Sequence, residues 1–197
     1  MIAFACPTCH KSFSVPDSYA GRKARCKGCR NEVVVPAAAV APPTKPPLRV
    51  RRLLADADAV RAAFAEHPIV RLVSAEGDPP DTYAFEFKLA GLERDAKGKI
   101  VTRHTHRAEV KLGADYPRLP PVCRMLTPSF HPNIDASHIC IGDHWTAGER
   151  LIDLIARIGE MLAYQAYNIR SPLDGEAAMW ADLNAAKLPT DPRPVHA

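Results

Sequence analysis

Two cysteine pairs place the tightest constraint on this chain. Cys6-Pro7-Thr8-Cys9 and Cys26-Lys27-Gly28-Cys29 are separated by sixteen residues, the spacing at which two tight turns bring four thiolates around one ion. Zinc is the expected metal, held by Cys6, Cys9, Cys26 and Cys29, and its role is structural. Phe13, Val15, Tyr19 and Val33 to Val35 are too few to make a core, so metal binding must supply much of the folding free energy. His10, adjacent to Cys9, is an alternative donor that reads better as a solvated surface residue. Gly28 is expected to supply a positive φ in the second turn. Two redox-active pairs are the competing reading, but the βαβ pattern that would accompany them is missing.

After this unit, Pro36 to Pro47 holds five prolines and four alanines in twelve residues, which removes backbone donors and favours an extended, semi-rigid spacer over 36–48. Charge divides on either side of it. Residues 1–52 carry ten Lys/Arg against two Asp/Glu, and residues 53–197 carry sixteen against twenty, as two bodies with different partners would. The basic run Arg22, Lys23, Arg25, Lys27, Arg30 suits nucleic acid phosphates, an acidic protein face or plain solvation. No aromatic platform for bases accompanies it beyond Tyr19, so nucleic acid ranks low. The longest apolar run, Val33 to Val40, is broken by Pro36 and far short of the roughly 20 residues of a membrane span. Met1 to Cys6 lacks the basic start and apolar core of a signal peptide, so a cytoplasmic protein is expected. The segment CPTCHKSFSVPDSYAGRKARCKGCRNEVVVP resembles the short zinc ribbons at the N-termini of many bacterial proteins, and residues 1–35 are predicted to form one.

Residues 49–187 read as an α+β domain. Leu53, Ala57, Val60 and Phe64 recur at helical spacing and predict a helix over 49–66 that ends before His67-Pro68. Strands follow at Ile69–Ser74 and at Thr82–Leu89, where Tyr83, Phe85, Phe87 and Leu89 alternate with Ala84, Glu86 and Lys88. Gly91 to Thr105, with Lys97-Gly98-Lys99 at its tip, predicts an elongated hairpin. Two more strands are expected at His106–Leu112 and Val122–Leu126, the latter turning Cys123 into the core. Thr146 to Glu149 reads as a capping box for a helix over 147–163, built on Leu151, Ile155, Ile158 and Leu162. A last helix is predicted over 174–186, and a frayed tail over 188–197.

Between the last strand and the long helix lies the stretch that carries chemistry, Tyr116 to Trp145. It contains Pro117, Pro120 and Pro121, the tripeptide His131-Pro132-Asn133 and an isolated Cys140 in a loop flanked by Ser137-His138 and Gly142-Asp143. A thiol of pKa near 8.5 is a few per cent thiolate at neutral pH and strongly nucleophilic even so, which suits acyl exchange between thioesters. A metal held by His131, His138, Cys140 and His144, or a Cys-His protease, fits the sequence less well.

The order Tyr-Pro, Pro-Pro, Leu126-Thr127-Pro128, Phe130-His131-Pro132-Asn133-Ile134, Ile139-Cys140 and Trp145 resembles the active-site half of ubiquitin-conjugating enzymes. The likeness extends over 49–187 and is strongest over 116–173. It implies their fold: a first helix, a four-stranded antiparallel meander and C-terminal helices. It also implies an enzyme in which Cys140 carries a ubiquitin-like modifier as a thioester, received from an activating enzyme and passed to a target lysine. Asn133 then stabilises the oxyanion or braces the loop, His131 is mainly structural, and Ser171 stands at the lysine entrance. Three departures bear on the last step. Asn133 to Cys140 is seven positions, Cys140 to Trp145 is five, and Gly142 stands where an acidic residue is usual. These departures leave Asp143, Ser171 or neither as the lysine-activating group. The ribbon and the short loop look bacterial. The competing function is a non-catalytic adaptor of the same fold that binds partners through ribbon and sheet.

Overall fold

A computed structural model describes residues 1–37, 46–142 and 145–196. The chain divides into two compact units, Met1–Pro46 and Pro47–Ala197.

The first unit is one turn written twice. Strand β1 (Ile2–Ala5) pairs antiparallel with β2 (Ser12–Val15), and β3 (Lys23–Arg25) with β4 (Glu32–Val34). The loop of each hairpin holds one cysteine pair. Cys6 N–H donates to the Lys11 carbonyl and His10 N–H to the Cys6 carbonyl, each at 2.9 Å, and Cys26, Asn31 and Arg30 repeat the pattern at 2.9 Å. The left-handed residues of the two turns are His10 (φ 58°) and Arg30 (φ 63°), not Gly28 as predicted. Gly28 is needed for space: a Cβ there would lie 3.1 Å from Lys11 Cδ and 3.3 Å from Cys9 Sγ. Its N–H also donates to Cys26 Sγ at 3.2 Å. Behind the thiols, Val33 is buried with Phe4, Phe13 and Ala24 around it, a very small core.

The second unit begins with α1 (Leu48–Phe64), which starts after Pro46-Pro47 and buries Leu53, Ala57, Val60 and Phe64 on one stripe. A four-stranded antiparallel sheet follows, made of β5 (Val70–Gly77), β6 (Pro80–Phe87), β9 (His106–Lys111) and β10 (Val122–Met125) in the order β10-β9-β6-β5. Inserted between β6 and β9 is the hairpin of β7 (Gly91–Arg94) and β8 (Ile100–Arg103), turning at Gly98 (φ 80°). There the Asp95 carboxylate accepts the N–H groups of Lys97 at 2.9 Å and Lys99 at 2.8 Å. Strands β5 and β6 run further toward their shared turn than predicted, pairing Gly77 with Pro80. Their ends carry Glu76 and Thr82, which show no apolar alternation.

The core lies where Tyr83, Phe85 and Phe87 of β6 meet α1 and α2 (Leu151–Leu162). Leu151, Leu154, Ile155, Ile158 and Leu162 of α2 are fully buried, each side chain worth roughly 1.5–3 kcal/mol of transfer free energy. Helix α3 (Gly175–Leu183) is capped by Asp174, whose carboxylate accepts the Ala177 N–H at 2.9 Å.

Two further expectations fail. Helix α2 starts at Leu151 with no side-chain cap. The segment before it is a tight turn, the Glu149 N–H donating to the Thr146 carbonyl at 3.0 Å, and Arg52 donates to the carbonyls of Ala147 (2.6 Å) and Glu149, so Thr146 and Glu149 form no capping box. Nor is the tail frayed. Val195 is 1% exposed against Gly159 and Phe87, Arg193 donates to the Lys88 carbonyl at 2.9 Å, and His196 pairs with Glu160 at 2.7 Å. Among the described residues no helix is long and apolar enough to cross a membrane.

Candidate active site around Cys140

Strand β10 anchors the site. Cys123 points inward and burial pushes its thiol up to about 12, which makes it an inert core residue. The Cys123 carbonyl accepts the Ile139 N–H at 2.8 Å and so pins the residue before Cys140 to the sheet. Between them the chain makes two tight turns. In the first, His131 Nδ1 accepts the Asn133 N–H at 3.1 Å. In the second, the Asp135 carboxylate accepts the Ser137 hydroxyl (2.7 Å) and the N–H groups of Ser137 (2.6 Å) and His138 (2.8 Å). Those donors, the hydroxyl first, pull its pKa down to about 2. Isolated bridges from Ile134 to His131 and Ile139 close the structure.

His131 is fully buried, its ring 4.8 Å from that of Tyr164. Burial drives its pKa down to about 3. With Nδ1 accepting, the neutral ring carries its proton on Nε2. It is therefore too weak a base to take up a proton near neutrality.

Asn133 is joined to Cys140 through the backbone, its carbonyl accepting the Cys140 N–H at 2.9 Å. Its carboxamide makes a two-bond clasp with Asn168: Nδ2 donates to the Asn168 carbonyl at 2.8 Å and Oδ1 accepts the Asn168 N–H at 2.7 Å. The Pro132 carbonyl takes the N–H groups of Leu173 (2.8 Å) and Asp174 (3.1 Å). The segment after α2 is thereby laced to the His-Pro-Asn turn. One Nδ2 hydrogen of Asn133 remains outside the clasp.

Cys140 is half-buried and lines a cleft of about 510 Å³ with Asn133, Gly142, Arg157, Asn168 and Ser171. Three of the residues singled out from sequence, Cys140, Asn133 and Ser171, therefore line one cleft. Gly142 has φ 87°, a conformation that disfavours any acidic side chain in its place. Asp143 and His144 lie outside the described residues.

Sequence reasoning missed Arg157 and Asn168. Arg157 of α2 donates to the Ile141 carbonyl at 2.9 Å and to the Glu149 carboxylate, holding the turn just past Cys140. The available signal was a lone cation within an otherwise apolar stretch of α2.

The four cysteines of the first unit meet as their spacing demands. Their Sγ atoms all lie within 4.8 Å of one another, with Cys6–Cys29 at 3.7 Å and Cys9–Cys26 at 3.6 Å. Tetrahedral bonds of about 2.3 Å to zinc place sulfurs roughly 3.8 Å apart, so the donor set fits a metal ion.

Among solved structures, the chain is similar to a Trypanosoma cruzi protein assigned provisionally to the ubiquitin conjugating enzymes. The two are 20% identical, the match covers 71% of this chain and 89% of that one, and the TM-score is 0.46. The family model described as ubiquitin-conjugating enzyme matches residues 80–188, more than half of the chain and all of the site around Cys140. The chain belongs to the ubiquitin-conjugating enzyme family.

Proposed function

We propose that this protein is a working member of that family, with Cys140 carrying a ubiquitin-like modifier as a thioester and handing it to a lysine. The observation that supports this best is the setting of Cys140: a half-buried residue in a cleft that Ser171 also lines, its N–H held by the Asn133 carbonyl and the next residue's carbonyl by Arg157. The thiolate attacks the thioester carbonyl of the modifier on its activating enzyme. A C–S bond forms, the tetrahedral intermediate collapses and the activating enzyme's thiolate leaves. Exchange of one thioester for another is nearly isoenergetic and needs no strong base. In the second step a neutral lysine amine attacks and expels the Cys140 thiolate, and the nitrogen gives up its proton. Ser171, which lines the cleft, or Asp143, next to the family's acidic position in sequence, assists that proton. The Nδ2 hydrogen left over from the Asn168 clasp gives Asn133 a donor for the oxyanion. Zinc on the four cysteines holds the ribbon together, and ATP is consumed by the activating partner.

The test incubates the protein with its activating enzyme, modifier and ATP and compares gels run with and without thiol. A thiol-sensitive adduct is expected, absent in Cys140→Ala and thiol-resistant in Cys140→Ser. Equal behaviour of wild type and Cys140→Ala would reject catalysis and leave a non-catalytic adaptor. Asn133→Ala should slow lysine transfer by about 10²–10³ with a much smaller effect on loading. An equal loss in both steps would reduce Asn133 to a brace.

A further inference from the structure

We infer that the N-terminal ribbon is a docking site for an acidic peptide segment bearing one apolar side chain. Five ribbon cations, Lys11, Arg22, Arg25, Lys27 and Arg30, have no carboxylate partner among the described residues. The unit's two acids are engaged elsewhere: Asp17 by the N-terminal ammonium at 2.7 Å and Glu32 by Lys23 at 2.8 Å. A divalent ion on four thiolates carries two negative charges and offsets part of this excess, but a positive surplus remains.

Beside these cations the two hairpins leave an apolar slot of about 140 Å³, walled by Phe4, Phe13, Ala24 and Val33 and also lined by Arg25 and Lys27. The volume suits one side chain of leucine or phenylalanine size, for an apolar cavity of about 150 Å³ accepts benzene. The exposed Tyr19 ring forms part of the wall, with the Arg22 guanidinium 5.7 Å from its centroid. A hydrocarbon side chain in the slot, flanked by carboxylates on Arg25 and Lys27, answers both features of this surface. A nucleobase answers them less well. Its polar edge atoms would be buried against Phe, Val and Ala without partners, and Tyr19 alone offers no stacking series. The ribbon would thus select the proteins brought to the conjugating domain, though docking itself does not depend on Cys140.

The experiment uses the full-length, zinc-loaded protein and fluorescence anisotropy with a labelled seven-residue peptide of aspartate and glutamate around one central leucine. Saturable binding is expected, with affinity at least about tenfold lower when the leucine is replaced by serine. The double variant Arg25→Gln/Lys27→Gln should weaken it by about tenfold, and Ala24→Leu, which fills the slot, should weaken it at unchanged charge. Zinc content, measured on each variant, separates a blocked slot from an unfolded ribbon. Cys140→Ala should bind as wild type does, so failure of the thioester proposal leaves this test intact. Indifference to the central leucine overturns the inference, as does tighter binding of a mixed-sequence single-stranded oligonucleotide than of the peptide.

Discussion

At the scale of single residues, the histidines make the large domain sensitive to mild acid. Burial holds His131 down to about 3 and His106 down to about 4, from 6.5 in an unfolded chain, and lowers His67 in the same direction. Between those values the unfolded state binds protons that the folded state refuses. Their contribution to stability is therefore fully present above pH 6.5 and is lost as pH falls toward the folded values, at up to about 1.4 kcal/mol per pH unit for each group. The paired acids act elsewhere: Asp135 and Asp191 are held at about 2 against 3.8 unperturbed, so their loss begins below pH 4. Urea unfolding of the domain should show a lower midpoint at pH 5 than at pH 7.5. His106→Gln should flatten part of that slope, and a midpoint constant across this range would contradict the buried, neutral assignment.

At the scale of elements, the start of α2 shows how a local motif loses to tertiary contacts. Thr146 and Glu149 have the spacing of a capping box, yet Arg52 from α1 holds the carbonyls of Ala147 and Glu149, and the Glu149 carboxylate faces Arg157. The apolar stripe begins only at Leu151, so helix starts where burial starts. If the box had formed, Thr146→Ala would cost about 1 kcal/mol; here it should change stability by less than about 0.5 kcal/mol. Glu149→Ala should cost about 1–3 kcal/mol, because it strips a partly buried guanidinium of its partner. Denaturant titration of both variants decides between the two arrangements, and equal losses would restore the box. The same logic explains why the strands were legible. Tyr83, Phe85 and Phe87 alternate because one face of β6 is buried, whereas the polar ends of β5 and β6 pair through backbone alone and leave no pattern.

At the scale of the whole molecule, much of what matters was readable because it is local. The two cysteine pairs, the His-Pro-Asn turn and the isolated Cys140 are each written within a few residues, while most of the spacer expected over 36–48 lies outside the described residues. The Asn133–Asn168 clasp joins residues 35 apart, and the docking of Val195 against Gly159 joins 36. Neither has a periodic signature, since each depends on where α2 delivers the chain. The division into units leads to a last prediction. The ribbon's apolar core is little more than Val33, Phe4 and Phe13 around the thiols, whereas the second unit holds the buried faces of α1, α2 and the sheet. On the proposal that the four cysteines hold zinc, removing it takes away the first unit's main source of stability and none of the second's. Chelation should therefore abolish amide protection over residues 1–37 in hydrogen exchange and leave the core of α2 and β6 protected. Readdition of zinc should restore the ribbon, and collapse of both units on chelation would show that the second depends on the first for its fold.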